Sequence, residues 1–413
     1  DHLRKGGPQH VYRIETEAFN PEVVASIPYL RQRDSQSRQM IPVPRGNRVA
    51  TIMNVTRRNF SGELEFLANN LPPGIVMHAP KVPANLTQVP IVFEAAADAP
   101  LQKSLVDLRV LHTGANGKKI EGGFRQNLDL VYGPPNNRTY YVSTLDRLAV
   151  AATKKVPFSI KLLKPETPII QSGSMSLKVV AVRDANFTAA INVRLLTRPP
   201  GIGASSSINI AAGKTEANYP ITANGGAGIG TWQIAMLAAA KTSHGEVLTS
   251  SELVDLVIEP PYLKVKINMS AIERGKEGEI ICDLEQLRPF ENEATISIFG
   301  LPAKVTSIPQ KIDKNATQVV FPITSEPTSR AGLSKTLFCS VKVPLGEHLL
   351  NHSVGQGGQL RMDNPPPAPK KPTVPKPKTV AVAKPPKPKA QKPLSRLEKL
   401  RLAAKESAAA GTN

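Results

Sequence analysis

One block of sequence occurs three times in this chain, and a repeat of that length confines the fold to an array of like modules. In the first copy Phe60 precedes Leu64, Phe66, Pro72 and Ile75. The second copy sets Phe187 before Ile191, Val193, Pro199 and Ile202, and the third sets Phe290 before Ala294, Ile296, Pro302 and Val305, at the same intervals. Successive copies are offset by 127 and then 103 residues. A chain of 413 residues also holds about three domains of 100 to 130 residues on length alone.

The type of module follows from the alternation inside each copy. Glu63, Leu64, Glu65 and Phe66 alternate polar with apolar, and Ile191, Val193 and Leu195 point one way while Asn192 and Arg194 point the other. That is the period of a strand wet on one face and buried on the other. Each run stops at a proline turn, because proline lacks the amide hydrogen that a central ladder requires. The turns are Leu71-Pro72-Pro73-Gly74, Arg198-Pro199-Pro200-Gly201 and Gly300-Leu301-Pro302-Ala303, the last without the second proline and the glycine. Downstream, Thr87 to Ile91, Thr215 to Ile221 and Thr317 to Ile323 each read as a strand ending in Pro-Ile. Short strands with frequent turn signals predict an all-β chain of tandem antiparallel Ig-like β-sandwich domains.

The Pro-Pro pairs after Gly133 and Glu259 suggest stiff connectors. They divide the chain into the end of a preceding domain or linker (1–14) and sandwiches at 15–134, 135–260 and 261–362. Length differences between copies fall in stretches such as Gly114 to Gly123, which read as hairpin tips. From residue 363 the composition changes, with 11 Pro, 10 Lys and 2 Arg against 3 acids, so that +9 of the chain's net +19 lies in the last 51 residues. Residues 363–394 are too polar and proline-rich to bury a core and read as a disordered basic tail. Within 395–413, Ser395 and Glu398 have capping-box spacing and Leu397, Leu400 and Ala404 a helical period, which predicts a short amphipathic helix.

Cys282 and Cys339 are the two cysteines. Alternation places Ile280, Cys282 and Leu284 on one face, and Leu337, Cys339, Val341 and Val343 on another, so both thiols point into one core. They fall near the second and sixth strands of an immunoglobulin-like sandwich, the positions bridged in antibody domains. A disulfide and a pair of buried free thiols are both consistent with this pattern.

No catalytic, cofactor or metal constellation emerges. His348 and His352 are four apart in a variable hairpin, with Glu347 the sole further ligand type beside them. Glu63 and Glu65 share the wet face of their strand and read as surface charge. Ser172 lacks the preceding glycine of a nucleophile elbow, and no phosphate-binding glycine loop occurs. Eight N-x-[ST] sequons, Asn59 and Asn186 among them, reflect turn and strand composition unless the chain meets a glycosylating host.

The tail is the interaction candidate. Lys370, Lys371, Lys376, Lys378, Lys384, Lys387, Lys389 and Lys392, held apart by prolines, would associate with a polyanion through counterion release. A cell-envelope polymer or acidic polysaccharide fits. Nucleic acid is disfavoured as a specific partner because the tail has no aromatic side chain on which a base could stack. No apolar run is long enough for a transmembrane helix.

The opening Asp1-His2-Leu3-Arg4-Lys5-Gly6-Gly7-Pro8, running into Val11-Tyr12-Arg13-Ile14, resembles the junction after a bacterial pre-peptidase C-terminal (PPC) domain. Val43-Pro44-Arg45-Gly46-Asn47-Arg48, Leu71 to Ile75 and Phe93 to Pro100 are similar to the Ig-like repeat region downstream of that junction in large exported planctomycete and verrucomicrobial surface proteins, and Pro393 to Leu402 to their C-terminal tails. The resemblance implies export to the periplasm, cell surface or medium, other domains upstream in the same polypeptide, and a scaffold role with no catalytic residues to carry over. The expectation is a non-catalytic structural or binding stalk at the cell envelope. The alternative is the accessory region of a secreted peptidase or other hydrolase whose catalytic domain lies upstream.

Overall fold

The computed structural model describes residues 19–28, 40–243 and 245–366, together with Arg396 and Arg401. The chain divides into two compact units after Pro365. Among the described residues the strands all lie in the first, and in the second, Pro366–Asn413, Arg396 and Arg401 are helical.

Sandwich 1 is built from β1 (Glu22–Ser26), β2 (Met40–Pro44), β3 (Asn47–Arg58), β4 (Glu65–Asn69), β5 (Ile75–His78), β6 (Gln88–Ala95), β7 (Lys103–Thr113), β8 (Lys119–Phe124), β9 (Gln126–Gly133), β10 (Arg138–Leu145) and β11 (Leu148–Thr153). Sandwich 2 comprises β12 (Phe158–Leu162), β13 (Ile169–Ile170), β14 (Ser174–Arg183), β15 (Ile191–Leu195), β16 (Ile202–Ala204), β17 (Ile208–Ile210), β18 (Glu216–Ala223), β19 (Gly230–Ile234), β20 (Met236–Thr242), β21 (Gly245–Ser250) and β22 (Val254–Glu259). Sandwich 3 comprises β23 (Leu263–Ile267), β24 (Ser270–Glu273), β25 (Glu277–Gln286), β26 (Ala294–Phe299), β27 (Val305–Ser307), β28 (Gln310–Ile312), β29 (Gln318–Ser325), β30 (Gly332–Leu345) and β31 (His348–Asp363).

The topology is clearest in sandwich 3. One sheet runs β23-β25-β29-β27 and the other β24-β31-β30-β26-β28. All these pairs are antiparallel except β24 with β31. The order of first, second, fifth and fourth strands facing third, sixth and seventh is that of an immunoglobulin-like sandwich. Sandwich 2 repeats it as β12-β14-β18-β16 opposite β17-β15-β20-β21, with β13 parallel to β22. Sandwich 1 keeps the same neighbours but joins its sheets through β1, which pairs antiparallel with β3 and parallel with β8.

The repeated positions are core positions. Leu64, Ile191 and Ala294 are fully buried, as are Val193 and Ile296, while Ile75, Ile202 and Val305 close the same turn in each module. In that turn the amide of Ile75, Ile202 or Val305 donates to the carbonyl of Pro72, Pro199 or Pro302 at 3.1, 3.0 and 3.1 Å.

The Pro-Ile pairs do not end their strands. β6, β18 and β29 continue to Ala95, Ala223 and Ser325. The short neighbours β5, β16 and β27 pair with them only from Val92, Ile221 and Ile323 onward. Pro90, Pro220 and Pro322 therefore lie where the strand has one neighbour, and the missing amide costs no ladder bond.

The seam at residue 134 is also corrected. Pro134 and Pro135 turn the β9–β10 hairpin, and the chain then returns to sandwich 1 as β11, antiparallel to β7 and parallel to β2. The last strand of sandwich 1 is thus split into β8 and β11 around an inserted hairpin. The inserted element is the β9–β10 hairpin, while in Gly114 to Gly123 the first five residues tip the β7–β8 hairpin as expected and the last five belong to β8. At the other end β31 runs to Asp363 with Met362 in the core, so the body extends past residue 362.

Candidate functional site

Cys282 lies on β25 and Cys339 on β30, the second and sixth major strands of sandwich 3 and members of its opposite sheets. Both are free thiols with no solvent exposure. The hydrogen bond between the two sulfurs, reinforced by burial, pushes the Cys339 thiol far above its ordinary range. Such a thiol is inert as a nucleophile, and the pair is packed like a core contact.

The residues weighed as catalytic or metal-binding separate in space. Glu63 and Glu65 both hold Lys81, at 3.2 and 3.0 Å, on the open surface. Glu65 first, and then Glu63, raises the Lys81 ammonium above its usual value. His348 is half-exposed and pairs with Glu166 of sandwich 2 at 3.1 Å, whereas His352 is completely buried. Among the described residues no group of three His, Cys, Asp or Glu side chains could hold a metal ion. The eight tail lysines from Lys370 to Lys392 lie outside the described residues.

Two surfaces that sequence reading missed stand out. On the inserted hairpin Leu130, Val131, Tyr140, Tyr141 and Val142 are all exposed, and none of its described side chains joins the core of sandwich 1. The second is a cleft of about 630 Å³ where sandwich 1 meets sandwich 2. It is lined by Lys81, Gln88, Arg198, Ile229, Trp232 and Asp255 among others. Trp232, the single tryptophan, packs against the sandwich 2 core and donates its indole N–H to the Gly228 carbonyl at 2.7 Å.

Both junctions are packed. At the first, β21 of sandwich 2 lies against the Asn47 end of β3 of sandwich 1, and at the second, β31 of sandwich 3 lies against the β13–β14 turn of sandwich 2. At the first junction Asn47 donates to the Phe158 carbonyl at 2.7 Å, and the Thr249 hydroxyl hydrogen-bonds Asn47 Oδ1 and the Arg48 carbonyl. Ala50, Val92 and Ala235 make a small apolar contact beside it. At the second, the Ser353 amide donates to the Ser172 carbonyl at 2.8 Å, and Gly173 bridges to His352. A Cβ on Gly173 would meet the Asn351 oxygen at 2.4 Å, so only glycine permits this approach. Ile170 of sandwich 2 packs into the sandwich 3 core, and Arg288 pairs with Glu259 at 2.7 Å across the seam.

These features define a tandem array of immunoglobulin-like modules. No protein-family model and no curated protein sequence matches the chain. Solved structures with partial likeness include a protein of unknown function from Porphyromonas gingivalis W83, at 10% identity over 50% of this chain and 100% of that one, with a TM-score of 0.20. Salmonella alpha-2-macroglobulin reacted with methylamine matches at 10% identity over 79% of this chain and 30% of its own, TM-score 0.27. The fibronectin(III)-like modules of Clostridium thermocellum CbhA match at 11% identity over 53% and 90%, TM-score 0.17. Likenesses this loose leave the architecture to rest on the chain's own strand order.

Proposed function

We propose that this chain is a non-catalytic structural and binding stalk of an exported bacterial cell-envelope protein, with sandwiches that space and present surfaces and a basic tail that attracts polyanions. The observation that carries the stalk reading is that both junctions are packed. Each joins one module to its neighbour through hydrogen bonds and buried apolar contact, which suits a spacer better than beads on a loose string. The tail adds +9 of net charge, enough for strong, salt-sensitive attraction to an acidic polysaccharide.

The test is a salt series comparing the full chain with a version ending at Pro365, which leaves β31 intact, on purified envelope polysaccharide and a generic polyanion. Binding that weakens steeply with salt and disappears with the tail supports the anchor. Binding retained without the tail assigns it to the sandwiches and overturns that part of the reading. A second reading, recognition through the inserted hairpin, is favoured by its five exposed apolar side chains. A hairpin-deleted variant that loses binding while the tail remains would select it.

A further inference from the structure

The two junctions use equivalent strands but different side chains, Asn47 of the first being matched by Ser174 in the second. The 103-residue offset relating copies two and three carries Thr249 onto His352, and the 127-residue offset relating copies one and two carries Gly46 onto Gly173. Thr249, fully buried, is satisfied by Asn47 and the Arg48 carbonyl. His352, equally buried, has no hydrogen-bond partner on either ring nitrogen. From this contrast we infer that His352 makes the junction between sandwiches 2 and 3 an acid-sensitive hinge, closed when the imidazole is neutral and loosened when it takes a proton.

The surroundings offer the imidazolium nothing. On the sandwich 2 side it meets the turn of Gln171, Ser172, Gly173 and Ser174, which carries no charge. On β30 its register partner is Val341. The Tyr262 ring sits 6.1 Å away, centroid to centroid. Beyond it, the Arg288 guanidinium lies 4.5 Å over the tyrosine ring and is ion-paired to Glu259. On the same strand, His348 pairs with Glu166 of sandwich 2 at the surface. At the surface such a pair contributes little.

Burial lowers the His352 pKa from 6.5 to about 4. Between those values the opened junction, with its imidazole in water, binds a proton that the closed junction rejects. Closure is therefore at full strength above pH 6.5 and weakens as pH falls toward 4. The ratio of open to closed should rise on the order of a hundredfold between pH 7 and pH 4. Opening breaks the Ser353 to Ser172 bond and the Gly173 bridge, leaving each sandwich folded.

The experiment uses the full chain with fluorophores on exposed positions of sandwiches 2 and 3, titrated from pH 7.5 to 4 with far-UV circular dichroism in parallel. The expected result is an inter-module distance that broadens below pH 6 at constant secondary structure, absent in His352→Thr and His352→Gln and retained in His348→Asn. A proton-coupled chemical shift of the His352 ring in the wild-type chain, midpoint near 4, gives a reading that depends on no variant folding. An unchanged distance to pH 4, a transition that survives His352→Gln, or loss of secondary structure at the same pH as the distance change would each overturn the inference.

Discussion

Asn47 of sandwich 1 donates its side-chain amide to the Phe158 carbonyl of sandwich 2 at 2.7 Å while its own carbonyl oxygen is held by Thr249. One buried side chain thus satisfies polar groups on two strands of the neighbouring module. Asn47 is 6% exposed, so no water stands ready to replace it.

Asn47→Ala should therefore take its donor from the Phe158 carbonyl, leave the Thr249 hydroxyl only the Arg48 carbonyl, and lower stability by roughly 1–3 kcal/mol. The junction should uncouple, so that urea unfolding followed by Trp232 fluorescence, which reports on sandwich 2, shifts relative to a probe in sandwich 1. Coincident, unshifted transitions would show that the Thr249 to Arg48 bond and the apolar contact of Ala50, Val92 and Ala235 hold the pair without Asn47.

The proline turn gives a matched comparison. Gly74, Gly201 and Lys304 occupy the same repeat position with φ of +76°, +79° and +65°. A Cβ on Gly201 would lie 2.5 Å from the Ala227 Cα, so Gly201→Ala should cost about 1–3 kcal/mol. Lys304 bears the left-handed conformation with a side chain that bonds only exposed Thr328 and Glu326. Lys304→Gly is expected to be neutral or to stabilise by about 1 kcal/mol, relief of φ strain outweighing a more flexible unfolded chain. Opposite signs for the two variants in thermal melts would confirm the assignment; a clear destabilisation by Lys304→Gly would refute it.

Cys282 and Cys339 should resist alkylation in the folded chain and react on unfolding, because both are sealed in the core. Oxidation to a disulfide would close a long loop and add up to about 4 kcal/mol in the chain-entropy description. Melting the oxidised and reduced proteins tests this. An oxidised form that melts lower would mean that the bridge distorts the packed pair.

Replacing residues 127–144 by a two-residue turn should leave sandwich 1 within about 1 kcal/mol of its original stability, since none of the hairpin's described side chains joins its core. Gln126 must be kept, because it is buried and accepts the Ile27 amide at 2.8 Å. A large loss measured by denaturant titration would assign the hairpin a structural role instead of a presenting one.

Much of the fold was legible because it depends on local periodicity. The alternation around Leu64, Ile191 and Ile296, the turn at each Leu-Pro or Arg-Pro step and the inward-facing cysteines are all set by neighbours a few residues away. The candidate surfaces were less legible. The counterpart relation between Thr249 and His352 was present in the 103-residue offset, but nothing in the chain marks that position as a junction until the modules are packed.

The sequence by itself determined the number of modules, their strand period and the core residues, because side-chain alternation and proline's missing amide act within a few residues. Tertiary structure alone decided that Gly133-Pro134-Pro135 tips a hairpin and does not separate domains. The same turn chemistry serves both uses, and what distinguishes them is the pairing of Leu148–Thr153 with strands some 45 and 110 residues earlier. It also decided that His352 is sealed against another module, since the burial of a side chain at a junction depends on two folded surfaces meeting, and no local pattern encodes that.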